Sequence, residues 1–322
     1  MTMTPELARS KYMGVLLAAG HATRTGTLRD EFPKPILPIG NKPLLVHQIE
    51  LLRSMGIIDI TVLIGHKGYQ ITRVLGDGER HGVRLQFVEQ KSMLGIAHAL
   101  GQLENYVDRP FLLFLGDIYF VPKDIGSMFR VFEEENCGAV LATKQETDVS
   151  AIRRNFSVIL DNAGKVVRVI EKPRHVINNL KGVGLYLFDL QVFDAIRRTP
   201  RTAMRDEYEI TDSIQVMIDD GHVVRSTDAV HDDLNVTYPE DLLWINLALA
   251  RDAHGGILVA DSARVESGAR IENTVIGARV DVPAGACITN SLVFDDVRIA
   301  PNAVIDSAIV TPRQILKCQL PR

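Results

Sequence analysis

Cysteine is scarce in this 322-residue chain: Cys137, Cys287 and Cys318 stand far apart with no CxxC spacing. That speaks against a zinc site and against a disulfide framework. No apolar stretch approaches the ~18 residues needed to span a bilayer. The opening MTMTPELARSKY has no hydrophobic core of the kind a signal peptide carries. There is no basic excess either: the net charge is −4 and the pI near 6.2, so nothing points to nucleic acid. Any positive charge for an anionic ligand must be gathered locally. A GxGxxG fingerprint is missing, and no Ser/His/Asp or Cys/His constellation is evident. What remains is a cytoplasmic globular protein, 46% hydrophobic and 24% charged, long enough for two domains.

From Met13 to Val236 apolar runs alternate with amphipathic segments. Val15–Ala19, Ile60–Ile64, Arg84–Val88 and Phe111–Leu115 read as strands, and Leu44–Met55, Tyr69–Leu75, Ile96–Asn105 and Ile125–Glu135 as helices. Ser157–Leu160 and Lys165–Ile170, joined by Asp161-Asn162-Ala163-Gly164, read as a β-hairpin. Pro239–Ala253, with the only tryptophan, reads as a closing helix. The alternation favours an α/β fold with a mostly parallel sheet covered on both faces.

After Gly255-Gly256 the pattern changes. VADSARVESGARIENTV, IGARVDVPAGACITNSL and VFDDVRIAPNAVIDSAI align as three 17-residue units, with Ala269, Ala286 and Ala303 in one column. An in-phase period marks a solenoid in which each unit buries its apolar positions against the next. The hexapeptide-like spacing fits a short, left-handed parallel β-helix.

The chemistry concentrates in the first βα loop, LAAGHATRTGTLRDEFPKP, Leu17 to Pro35. Gly20 lets backbone N–H groups approach a phosphate or base edge. Thr23 adds a hydroxyl, Arg24 and Lys34 add two cations, and Pro33 and Pro35 stiffen the chain around Lys34. Asp117 follows the apolar run PFLLFLG, at the carboxyl end of a buried strand where α/β sheets place ligands.

These residues resemble the opening signature of the sugar-1-phosphate nucleotidyltransferases, LAAGxGTRLxPLTxxxPKP. The match covers Leu17, Ala18, Ala19, Gly20, Thr23, Arg24, Leu28, Pro33, Lys34 and Pro35 without a gap and departs at Ala22, Thr27 and Arg29. GIAHA looks closest to long glucose-1-phosphate thymidylyltransferases. NKPLLVHQIE, Asn41 to Glu50, carries a weaker similarity to guanylyltransferases. The resemblance implies a Rossmann-like nucleotidyltransferase domain with a mixed, mostly parallel sheet at 13–254, and the β-helix at 255–311. A disordered 1–12 and a tail at 312–322 are expected on either side.

By the same resemblance Leu17, Ala18, Gly20, Thr23, Arg24, Gln90 and Gly95 bind the nucleotide. Glu171, Lys172, Gly182 and Glu209 hold the sugar phosphate. Asp117 and Asn235 ligate Mg²⁺, with Asp233 as a second candidate for the latter. Arg24, Lys34, Asp117 and Lys172 carry the catalysis. The implied partners are a nucleoside triphosphate and a sugar 1-phosphate, with no nucleic acid or membrane, in a homo-oligomer. dTTP or UTP with glucose 1-phosphate leads, and guanylyl transfer to mannose 1-phosphate follows. A catalytically weakened binding or assembly paralogue is a further alternative. Acetyl transfer on the solenoid is disfavoured, because no histidine follows His254.

Overall fold

The run Gly14-Val15-Leu16-Leu17 has no polar face to give to water. It becomes the buried strand β1 (Met13–Ala18), central in a nine-stranded mixed sheet. The computed structural model describes residues 10–20, 24–203 and 205–319. Among these the chain packs as two compact units, one of residues 10–20 and 45–234 and one of 24–44 and 235–319.

In the first unit β1 is followed by β2 (Asp59–Ile64), β3 (Arg84–Glu89), β4 (Phe111–Leu115) and β5 (Ile118–Pro122). Then come β6 (Ala139–Gln145), β7 (Phe156–Leu160), β8 (Val166–Glu171), β9 (Leu180–Phe188), β10 (Val224–Thr227) and β11 (Val230–Asn235). The main path runs β8-β7-β9-β4-β1-β2-β3, with β6 against β9 and β10 against β6, while β5 and β11 form a separate ribbon. Pairings β1–β2, β2–β3, β1–β4 and β6–β10 are parallel; those made by β9 and the β7–β8 hairpin are antiparallel. Met13, Val15, Phe111, Leu113, Tyr186 and Phe188 share one core with Ala97, Leu100, Val192, Ile214 and Met217 from three covering helices.

Several expectations needed adjustment. The helix expected at Ile96–Asn105 ends at Gly101, and a separate 3₁₀ turn covers Glu104–Tyr106. The Gly182-Val183-Gly184 step lies inside β9, where the register against β6 shifts between Gly182 and Tyr186. Within the segment 1–12 expected to be disordered, Tyr12 is buried, and its hydroxyl donates to Glu133 at 2.5 Å. Residues 1–9 lie outside the described residues.

The second unit joins the segment 24–44 to the closing helix Pro239–His254 and the C-terminal strands. Every parallel pairing among those strands links residues 17 apart: Ile257 with Thr274, Ile271 with Ile288, Leu292 with Ile309, Arg264 with Asp281. The sequence period is thus one coil of a β-helix-like stack. Its corners recur in register, with positive φ at Gly256, Asn273, Asn290 and Ser307. Asn tolerates that left-handed region because its short side chain bonds locally. Asn273 Nδ2 donates to Asn290 Oδ1 at 2.8 Å, so one corner supports the next. Ile315–Lys317 pairs antiparallel with Ala308–Val310 and covers the last coil's edge.

Candidate active site

A chain that runs from β1 to β2 on one side and later returns as β4 on the other creates a switch point at β1. Ligands of open α/β sheets sit beyond the carboxyl ends of such strands. Two of the expected site segments leave the sheet there. Ala18 ends β1, followed by Ala19 and Gly20, and the two-residue turn Gly116-Asp117 follows β4. The Gly116 N–H donates to the Leu17 carbonyl at 2.9 Å. A Cβ at Gly116 would lie 2.7 Å from that same oxygen, so only glycine lets the turn approach β1 so closely. Leu17, Ala18 and Asp117 are thereby brought together. Among the described residues a Cβ at Gly20 would meet nothing within 4 Å.

Gln90 follows β3, its N–H donating to Ile64 O at 2.7 Å and its Nε2 to Ser92 O at 2.9 Å. Gly95 has φ +103, and a Cβ there would come within 2.4 Å of the Tyr208 carbonyl oxygen. Its need for glycine is therefore met by the backbone of Tyr208, whose N–H donates to Leu94 O. Gly182 has a similar explanation, since a Cβ would lie 1.9 Å from Phe156 Cζ. Its missing side chain makes room for the Phe156 ring.

Glu171, Lys172 and Glu209 do converge. Glu171 ends β8, and Lys172 turns out of it at φ +41 with its N–H donating to Asn155 O at 2.7 Å. Glu209 caps the helix Ile210–Asp219. The guanidinium of Arg205 bridges the two carboxylates, donating to Glu209 Oε1 at 2.7 Å and to Glu171 Oε1 at 3.4 Å. Thr211 Oγ1 also donates to Glu171, and Lys172 Nζ stands 3.6 Å from it. Burial, reinforced by the Glu209 charge, pushes the Glu171 carboxyl up to about 6. The buried Tyr186 hydroxyl is held above its usual range mainly by burial and secondarily by the same two carboxylates.

A second charged group pairs Asp233 with a lysine that sequence reasoning missed. Lys181 Nζ donates to both oxygens of Asp233, at 2.8 and 3.0 Å, and both side chains are almost fully buried. Asp233, the second candidate for the metal, is thus engaged by a lysine. Lys181 gave no signal in sequence because Asp233 is distant along the chain; Arg205 lies four residues before Glu209, but the Glu171 it also reaches is distant.

Arg24, Lys34 and Asn235 belong to the other unit. Arg24 is exposed, and Lys34 opens the 3₁₀ turn Lys34–Ile36 after extended Pro33. The segment is anchored downstream by a ribbon, Pro38–Ile39 with Lys42–Pro43, whose turn residues Gly40 and Asn41 both have positive φ. Fully buried Asn246 holds this ribbon: Gly40 N–H donates to its Oδ1 at 2.8 Å, and its Nδ2 donates to Pro38 O and Leu242 O at 2.9 Å. Asn235 is exposed at the end of β11. Thr23 lies outside the described residues.

The donor set proposed for the metal was a carboxylate at 117 and an amide oxygen at 235, both hard oxygens. Among the described residues no cluster of three or more His, Cys, Asp or Glu could hold an ion. Each of the two expected donors, the Asp117 carboxylate in one unit and the Asn235 amide oxygen in the other, is a hard oxygen of the kind Mg²⁺ takes. No helix among the described residues is long and apolar enough to cross a membrane.

Comparison with known proteins identifies the family. A model described as the GMPPB C-terminal domain matches residues 253–318. The chain is 34% identical over 242 residues to the low-salt glycan biosynthesis nucleotidyltransferase Agl11 of Haloferax volcanii, which covers 74% of this chain and 66% of that protein. It is 31% identical over 316 residues to a glucose-1-phosphate thymidylyltransferase of Streptomyces griseus, covering 92% of this chain and 84% of that one. A structure assigned as a Bacillus anthracis glucose-1-phosphate thymidylyltransferase, in complex with a sucrose, superposes with a TM-score of 0.67. It is 28% identical and covers 76% of this chain and 96% of its own. The model described as nucleotidyl transferase matches residues 13–238, well over half the length, and the chain belongs to that family.

Proposed function

We propose that the chain joins a nucleoside triphosphate to a sugar 1-phosphate, giving an NDP-sugar and pyrophosphate, with dTTP or UTP and glucose 1-phosphate as its substrates. One observation carries the reading: Asp117 stands at the switch point, one hydrogen bond from the strand that feeds the Gly20 loop. The sugar-phosphate oxygen attacks the α-phosphorus in line, and pyrophosphate leaves. A phosphate dianion is already nucleophilic at neutral pH, so no general base is needed.

The obstacle is charge. Two unit charges ~4 Å apart repel by ~4 kcal/mol at an effective dielectric near 20, and several such pairs must converge. Catalysis is therefore positioning and neutralisation. Arg24 and Lys34 neutralise the transferring and leaving phosphates, and Lys172 holds the attacking one. Glu171 and Glu209 accept hydrogen bonds from sugar hydroxyls, and the Gln90 amide pairs with the base. Asp117 and Asn235 are the residues that would hold a Mg²⁺, which when bound would supply charge neutralisation at the phosphates. We also propose a cytoplasmic location and self-association of the chain.

A panel of triphosphates against several sugar 1-phosphates, read by pyrophosphate release with Mg²⁺, tests the reading. Turnover with dTTP or UTP and glucose 1-phosphate is expected. Preference for GTP with mannose 1-phosphate would replace that substrate pair, and no release with any pair would leave the weakened-paralogue reading.

A further inference from the structure

We infer that Gln48 is the positioning residue for the Asp117 turn, holding that carboxylate where it takes a divalent cation; this rests on the reading of Asp117 given above. Gln48 lies on the helix Leu44–Ser54 and is 2% exposed. Its single amide nitrogen donates both protons, one to Leu115 O and one to Ile118 O, each at 2.9 Å. Those carbonyls bracket Gly116-Asp117, and the Gly116 N–H is tied to Leu17 O from the other side. The turn is fixed at three points, with Asp117 between them.

The other half of the amide makes the case. Gln48 Oε1 is buried with no hydrogen-bond partner among the described residues. A buried unpaired acceptor is disfavoured, and an apolar side chain of the same length would avoid it. Glutamine is therefore a poor choice for packing alone and a good one for supplying two uncharged donors from one atom. Glutamate would aim acceptors at two carbonyl oxygens, and asparagine is one methylene short.

The full chain carrying Gln48→Met, Gln48→Leu or Gln48→Glu is compared with wild type and with Asp117→Asn. Binding of Mn²⁺ alone is followed by the electron paramagnetic resonance of the free ion, kcat and KM by pyrophosphate release, and folding by thermal unfolding. All binding is read below the lowest transition. Groups that orient a metal ligand typically contribute 10–100-fold to affinity. Gln48→Met and Gln48→Leu are expected to weaken Mn²⁺ by about that factor, and to lower kcat while leaving KM for both substrates unchanged. Their unfolding temperature is expected to fall modestly, because losing the unpaired oxygen only partly offsets the donor lost by Leu115 O and Ile118 O. Gln48→Glu is expected to bind Mn²⁺ worst of the three. Unchanged Mn²⁺ affinity in Gln48→Met and Gln48→Leu, alongside lost binding in Asp117→Asn, overturns the inference alone. Retained binding in Asp117→Asn overturns the reading of Asp117 and the inference with it.

Discussion

Replacing Lys181 by methionine removes the ammonium that both Asp233 oxygens accept from, at 2.8 and 3.0 Å, and keeps the aliphatic stem. The side chains of Lys181 and Asp233 are only 5% and 4% exposed, so water cannot take the ammonium's place. The nearest remaining cation to Asp233 is Lys144 at 3.7 Å, itself bonded to Asp232. Breaking a buried pair from one side leaves an uncompensated charge and costs ~3–5 kcal/mol. In a domain of this size each kcal/mol moves the transition by ~2–4 °C, so the unfolding temperature falls by ~6–20 °C. Replacing both partners, Lys181→Met with Asp233→Leu, removes the stranded carboxylate. An apolar substitute of similar volume is often neutral against a buried pair, and most of the loss is regained. Thermal unfolding followed by circular dichroism near pH 7.5 reads both variants. A single mutant as stable as wild type, or a double mutant no better than the single, would refute the argument.

Two further outcomes follow from the sugar-side cluster. Adding a methyl at Gly182 places it 1.9 Å from the Phe156 ring, so Gly182→Ala loses at least ~1–3 kcal/mol by overpacking. Phe156→Leu in the same chain is expected to restore part of the lost unfolding temperature; no restoration would return Gly182 to a role in binding. Glu171, raised by burial from 4.5 to about 6, stays protonated in the fold at pH values where it ionises in the unfolded chain. Stability therefore falls by about 2 kcal/mol as pH rises through that window and is flat above it. The carboxylate needed by the sugar forms only above about pH 6. KM for the sugar phosphate is expected to rise below that point in wild type but not in Glu171→Gln. The substrate phosphate, which also titrates near ~6, is common to both and cancels; parallel profiles would contradict the assignment.

Periodic features were legible before any coordinates. The 17-residue repeat became the pairing of Ile271 with Ile288 and Leu292 with Ile309 because a solenoid writes its register into the chain. The strand at Phe111–Leu115 and its terminal Asp117 were readable because a buried parallel strand is apolar throughout. Glycines were harder to read. Among the described residues nothing crowds a Cβ at Gly20, whereas Gly95 and Gly182 are glycine because Tyr208 and Phe156 occupy the adjoining space. Composition cannot separate these cases, since the crowding residue is far away in sequence. Lys181 with Asp233, Arg205 between Glu171 and Glu209, and Gln48 under the Asp117 turn were hidden for the same reason: each is defined by a through-space partner on another strand or helix. The grouping of segment 24–44 with the closing helix was hidden too: fully buried Asn246 bonds Gly40 and Pro38, and Asn41 and Glu31 bond Ile276 and Thr311, all far away in sequence.

The most direct test is the rate of pyrophosphate formation in a single turnover with saturating triphosphate, sugar 1-phosphate and Mg²⁺, for wild type, Arg24→Ala and Asp117→Ala. Each variant loses a charge aimed at the reacting phosphates, so both are expected to fall by at least ~10²-fold while unfolding at the wild-type temperature. Near-normal rates in either folded variant would contradict the claim that this chain works by gathering charge around two mutually repelling anions.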